Sequence, residues 1–180
     1  NAFKASDFDE SGNYSLERNL AAHSILLTIE GVPGFYFNSL FGTSNDISKF
    51  IITDNKRDLN RYKWNNERLT KNLKINNSKQ SVFYNEMTNL IKIRRKQKAF
   101  HPNAQRINLN FGSKFYALER ISLDKSQKIL AITNLTSKTQ VLKINSKYLK
   151  SKNLLGQKFK ITFDKELVFN PFQTFWLSIN

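Results

Sequence analysis

The chain has 180 residues, 39% hydrophobic and 13% aromatic, with a formal net charge of +15. That is ample for a packed core, so a disordered chain is excluded; the absence of cysteine excludes disulfides and thiolate metal sites, and two distant histidines speak against a zinc centre. No apolar run approaches the ~20 residues of a membrane span, and the start lacks the basic-then-apolar order of a signal peptide, so a soluble, cytoplasmic protein without metal or cofactor is expected. The chain begins at Asn1 in a polar stretch that reads as the tail of a loop, which suggests a fragment.

Residues 1–14 carry Asp7, Asp9 and Glu10 without calcium-loop spacing and read as a solvated surface loop. Residues 16–29 have helical length and apolar spacing, with Ser15 placed as N-cap, Gly31 as the stop, and Leu20, Ile25, Leu26 and Ile29 beside Ala21 and Ala22 as the apolar stripe. His23 has no acidic or second-ligand partner in sequence reach and is assigned a structural role. Then comes Gly31-Val32-Pro33-Gly34-Phe35-Tyr36-Phe37-Asn38-Ser39-Leu40-Phe41-Gly42. Three consecutive aromatics after a Pro/Gly turn predict a short strand buried on both faces, the kind found in α/β proteins, whose chemistry sits where strands end.

A long loop is predicted over residues 43–63. Within it Arg57-Asp58-Leu59-Asn60-Arg61 places charged and amide side chains around one leucine, so the leucine can anchor while the guanidiniums face outward. Guanidinium donors suit sugar hydroxyls, carboxylates and phosphates alike, and a salt-bridged loop without a ligand is equally compatible with the residues. A short helix is predicted within residues 64–75. A clearer one over 79–98 puts Phe83, Met87, Leu90 and Ile91 on one face, and its last turns carry Arg94-Arg95-Lys96-Gln97-Lys98.

That run is the main cluster of basic residues; the rest of the charge is scattered among Asn, Ile and Phe, as AT-rich coding sequence produces. Cations at a helix C-terminus complement its dipole, but a basic module for nucleic acid or another anionic surface stays open as an alternative. Phe100-His101-Pro102-Asn103 breaks the helix. Beyond it, short alternating strands are predicted at 106–111, 114–122, 128–134, 140–144, 157–163 and 173–179, as in an antiparallel sheet or sandwich without a cluster of catalytic residues.

Taken together, these motifs resemble the C-terminal part of a family-13 glycoside hydrolase (the α-amylase superfamily), in the sucrose phosphorylase-like branch that includes glucosylglycerate phosphorylases. The resemblance rests on Gly31 to Phe37 with Ser39-Leu40-Phe41-Gly42, similar to the eighth barrel strand and its exit, on Arg57-Asp58-Leu59-Asn60-Arg61, similar to an R-x-I-N-R loop, on Phe100 to Ala104, and on residues 171–178. It implies a fold of α/β plus all-β class: residues 1–99 as the end of a (β/α)8 barrel, with its last strand and flanking helices, and residues 100–180 as a small antiparallel β domain.

It also implies a retaining double displacement in which phosphate takes the glucosyl group, yielding glucose 1-phosphate from sucrose or glucosylglycerate, with no nucleic acid, membrane or cofactor involved. The catalytic carboxylates of that scheme belong to earlier barrel strands, and a whole barrel needs ~250 residues, so none is assigned here and the chain by itself is expected to be inactive. Arg57 matches a donor-site arginine holding the far hydroxyls of the glucosyl unit; Asn60 and Arg61 match neighbours that fix the loop. Asn38 and Lys56 depart from the pattern, the first standing where relatives often have His. A hydrolase or transglucosidase of the same superfamily is the other alternative.

Overall fold

The computed structural model describes residues 14–158 and 160–179. By compactness they form two units, one of residues 14–20 with Gly34–Asn89, the other of Ala21–Pro33 with the residues from Leu90 onward. The residues predicted as an acidic loop around Asp7, Asp9 and Glu10 lie outside the described part.

Helix α1 (Ser15–Thr28) begins at Ser15 and is followed by Gly31 at φ +87°, the left-handed conformation that ends helices. Its buried positions are Asn19, Ala21, His23, Ser24, Leu27 and Thr28, whereas Leu20, Ile25, Leu26 and Ile29 are only partly covered and Ala22 is exposed. The covered stripe is thus rotated from the one hydrophobicity predicts, because small and polar side chains sit where the helix is closely approached.

The first unit departs further from the sequence reading. Residues 32–36 lack any strand partner among the described residues, and Phe37–Leu40 close into one helical turn, α2. Extended backbone becomes a strand only through a ladder with a neighbour, and none of the described residues supplies one. The aromatic run predicted to be covered on both faces is half open, with Tyr36 54% and Phe37 56% exposed. The loop predicted over 43–63 contains helix α3 (Ile47–Thr53) and a 3-10 turn, Lys56–Asn60. Helix α4 (Asn66–Lys74) is capped by the Asn65 side chain, which accepts from the Arg68 amide at 3.0 Å.

Helix α5 (Lys79–Arg95) buries Phe83, Met87 and Leu90, the spacing predicted, and leaves Ile91 half-buried. Its basic end is partly committed. The Arg94 Nε donates to Leu27 O at 2.8 Å and its Nη2 to Gly31 O at 3.2 Å, while Lys98 Nζ lies 2.8 Å from Asp124 Oδ2.

The second unit holds two antiparallel sheets. Strands β1 (Gln105–Leu109), β2 (Phe115–Ile121), β3 (Lys128–Asn134), β5 (Lys152–Asn153) and β8 (Thr174–Ile179) form one in the order β1-β2-β3-β8-β5. Strands β4 (Gln140–Lys143), β6 (Lys160–Ile161) and β7 (Glu166–Phe169) form the other in the order β4-β7-β6, with helix α6 (Ser146–Leu149) after β4. Phe115, Ala117, Leu130, Ile132, Leu167, Phe169, Phe175 and Leu177 share one core cluster, so strand residues from both sheets meet in it.

The opposite face of the larger sheet is also buried. Leu118, Ala131 and Trp176 lie in register across β2, β3 and β8, and Phe100 packs edge-on to Trp176 at 5.0 Å between ring centroids. Burial on both faces explains why β3 reads as a nearly continuous apolar run. On this face Arg120, fully buried, donates to Thr28 O and His101 O at 2.7 Å and to Ala104 O at 3.1 Å. With Arg94 it supplies donors to the Leu27, Thr28 and Gly31 carbonyls at the exit of α1.

The predicted strand over 157–163 is reduced to the two residues of β6, and Phe163 is fully exposed. β7, missed by the sequence reading, follows Lys165 at φ +60° and supplies the pairing instead. No helix among the described residues is long and apolar enough to cross a membrane.

A cationic depression at the Arg57–Arg61 turn

The turn carrying Arg57 is built by short-range caps. The Asp46 Oδ1 accepts from Lys49 N at 3.1 Å and starts α3; Asp54, at φ +48°, ends it. The Asn55 Oδ1 then accepts from Arg57 N at 3.1 Å, which opens the 3-10 turn. Asp58 lies 2.9 Å from Lys49 Nζ and accepts from Thr53 Oγ1 at 2.8 Å. The Lys49 and Thr53 donors hold its carboxyl below the ordinary aspartate range.

Tyr36, Lys56, Arg57, Asn60 and Arg61 line an open depression of ≈380 Å³, within the first unit. The three residues singled out from sequence, Arg57, Asn60 and Arg61, therefore share one concavity. All three are exposed, while Leu59 between them is half-buried. Among the described residues the lining holds three cations, a phenol and an amide, and no carboxylate. Such a set can grip hydroxyls or an anionic group, but it offers neither a nucleophile nor a general-acid pair.

Three supports were not legible beforehand. Asn38, 5% exposed, donates from Nδ2 to Asn60 O at 3.2 Å and to Tyr62 O at 2.9 Å. Asp46 N donates to Leu59 O at 2.8 Å. Tyr62 packs edge-on to Trp64, whose Nε1 donates to Thr43 Oγ1 at 2.9 Å. The available signal was a lone amide inside an aromatic stretch, where a strand buried on both faces would leave it in need of a partner.

A second depression, of ≈530 Å³ in the second unit, is lined by the basic run Arg94 to Lys98 together with His101 and Leu123. Of its cations, Arg94 and Lys98 already serve backbone carbonyls and Asp124. Among the described residues no group of three His, Asp or Glu side chains could hold a metal.

No family model matches the chain. It is 30% identical over 169 residues to the glucosylglycerate phosphorylase of Allomeiothermus silvanus, covering 94% of this chain and 28% of that protein. It is 26% identical over 163 residues to the glucosylglycerate phosphorylase of Escherichia coli K12, again 28% of that protein's length. The chain thus spans little more than a quarter of these curated relatives. Among solved structures, a trehalose-6-phosphate hydrolase of Bacillus licheniformis matches 98% of this chain and 41% of its own with a TM-score of 0.67 at 15% identity. The trehalulose synthase MutB of Pseudomonas mesoacidophila MX-45 matches 91% of this chain and 38% of its own with a TM-score of 0.66 at 14% identity. At these identities the likeness is one of fold.

Proposed function

The chain is a relative of the glucosylglycerate phosphorylases within the α-amylase superfamily, family 13 of the glycoside hydrolases, and from that premise we propose that it is the C-terminal part of an α-glucosyl phosphorylase. Residues 1–99 close a (β/α)8 barrel and residues 100–180 form its β domain. The observation that carries this reading is the convergence of Arg57, Asn60 and Arg61 on one depression.

In the reading, Arg57 presents its planar fork to two hydroxyls of the glucosyl unit, a geometry that a lysine cannot reproduce. Asn60 and Arg61 border the same subsite. The nucleophilic aspartate and the acid/base glutamate come from barrel strands in the part of the relatives that this chain does not span. One carboxylate forms the covalent glucosyl intermediate, the other protonates the departing glycerate, and inorganic phosphate then takes the glucosyl group as glucose 1-phosphate. On this reading we propose a cytoplasmic reaction, in which a charged sugar phosphate stays with the cell that makes it.

The test uses the reading frame that encodes this chain, assayed with glucosylglycerate and phosphate for glucose 1-phosphate. Phosphate-dependent turnover is expected, and Arg57→Ala should lower kcat/KM at least ~100-fold, the equivalent of two lost charge-assisted hydrogen bonds. Release of free glucose independent of phosphate would replace the reading with hydrolysis. Turnover by residues 1–180 alone would overturn the placement of the carboxylates outside the chain.

A further inference from the structure

Resting on that reading of the depression, we propose that Asn38 is the positioning residue of the Arg57–Arg61 turn, acting through two backbone carbonyls rather than on substrate. Its Nδ2 donates to Asn60 O at 3.2 Å and to Tyr62 O at 2.9 Å, which bracket Arg61 on both sides. The side chain is 5% exposed although its neighbour Phe37 is largely open, so the amide is buried against the turn that it holds.

The other ties of the turn span 13 residues or fewer: the Asn55 cap on Arg57 N, Lys49 and Thr53 on Asp58, Asp46 N to Leu59 O at 2.8 Å, and an Arg61 N to Asp58 O contact of 3.4 Å that is long for a hydrogen bond. Asn38 instead reaches across 22 and 24 residues. Its Oδ1 is buried with no hydrogen-bond partner among the described residues. A buried acceptor left unmade is a cost that an apolar side chain would not carry, so the amide earns its place through its two N–H groups. An aspartate of the same shape would set oxygens against both carbonyls, and a leucine would leave both without a donor. Glutamine keeps the two donors one methylene further out.

Freed from the clamp, the turn samples other conformations, and Arg57, Asn60 and Arg61 no longer converge. Hydrogen exchange on residues 1–180 reads this without any activity. In Asn38→Asp and Asn38→Leu, the amides of Arg57, Asp58 and Arg61 should exchange at least ~10-fold faster, while those of Leu69 and Val82 in the same unit hold their rates; Asn38→Gln should recover part of the protection. Equal rates at the turn in Asn38→Asp and the parent would overturn the proposal, as would acceleration shared by Leu69 and Val82, which marks a merely structural role. In the active reading frame, Asn38→Asp should lower kcat/KM for glucosylglycerate ~10-fold or more with an unchanged pH profile. Should the turn loosen but no phosphorolysis be found in the parent, the functional reading fails and the positioning role stands.

Discussion

Arg120 offers the sharpest test of how the second unit is held together. It is fully buried, donates to three backbone carbonyls at 2.7, 2.7 and 3.1 Å, and burial pushes its guanidinium pKa down. Two effects oppose each other. Each buried carbonyl deprived of its donor costs about 1–3 kcal/mol, so three amount to roughly 3–9 kcal/mol. Against this stands the charge itself, which has been taken out of water without a carboxylate hydrogen-bonded to it; removing it recovers several kcal/mol.

The carbonyls are expected to win because two of the three bonds are short and one acceptor, Thr28 O, lies at the end of a helix with no further amide to serve it. Arg120→Ala, which adds a cavity, should lose about 3–5 kcal/mol, and Arg120→Met, which refills most of the volume, about 2 kcal/mol. Urea unfolding followed by Trp176 fluorescence in a Trp64→Phe background measures both, since Trp176 is buried on the same sheet face. An Arg120→Met protein as stable as the parent would refute the reasoning and show that the desolvation cost cancels the three hydrogen bonds.

Three smaller predictions follow from local geometry. Gly31, at φ +87° with nothing within 4 Å of an added Cβ, has room for a methyl group but not the backbone for it; Gly31→Ala should cost about 1–2 kcal/mol and lower Tm by several degrees, and an unchanged melt would contradict the strain argument. Asp124 accepts from Lys98 Nζ, Ser122 Oγ, Ser126 Oγ and Ser126 N, which together hold its carboxyl far below the usual aspartate range. A depressed carboxyl stabilises the fold above its unfolded pKa and loses that contribution as pH falls, so carboxyl NMR should find Asp124 still ionised near ~pH 3, where exposed aspartates have taken up protons. Asn134, fully buried, donates to Lys138 O and Asn170 O and accepts from the Thr136 amide and hydroxyl; Asn134→Ala should cost about 2–4 kcal/mol in urea unfolding, and a loss below ~1 kcal/mol would deny the clip its role.

The β-rich half was the more legible part. Residues 128–134 emerge as β3 with the bounds that the flanking turn residues indicate, and Phe83, Met87 and Leu90 form the buried stripe of α5 at the predicted spacing. The choice of Arg57, Asn60 and Arg61 came from residue chemistry and resemblance, and the structure brings them to one concavity. Asn38 and Asp58 act through partners that composition could not supply: two carbonyls 22 and 24 residues away, and a lysine whose distance depends on a helix the sequence reading took for loop.

By itself, then, the sequence determined what is local: the stop of α1 at Gly31, the spacing of the buried stripe of α5 and the extent of β3 between its turn residues. Only the tertiary structure decided the rest. Gly31 to Gly42 has the composition of a buried strand, yet residues 32–36 pair with no strand among the described residues and Phe37–Leu40 turn helical, because a strand is a relation between segments rather than a property of one. The same holds for Arg120, whose charge reads as surface in the sequence and becomes buried because three carbonyls converge on it.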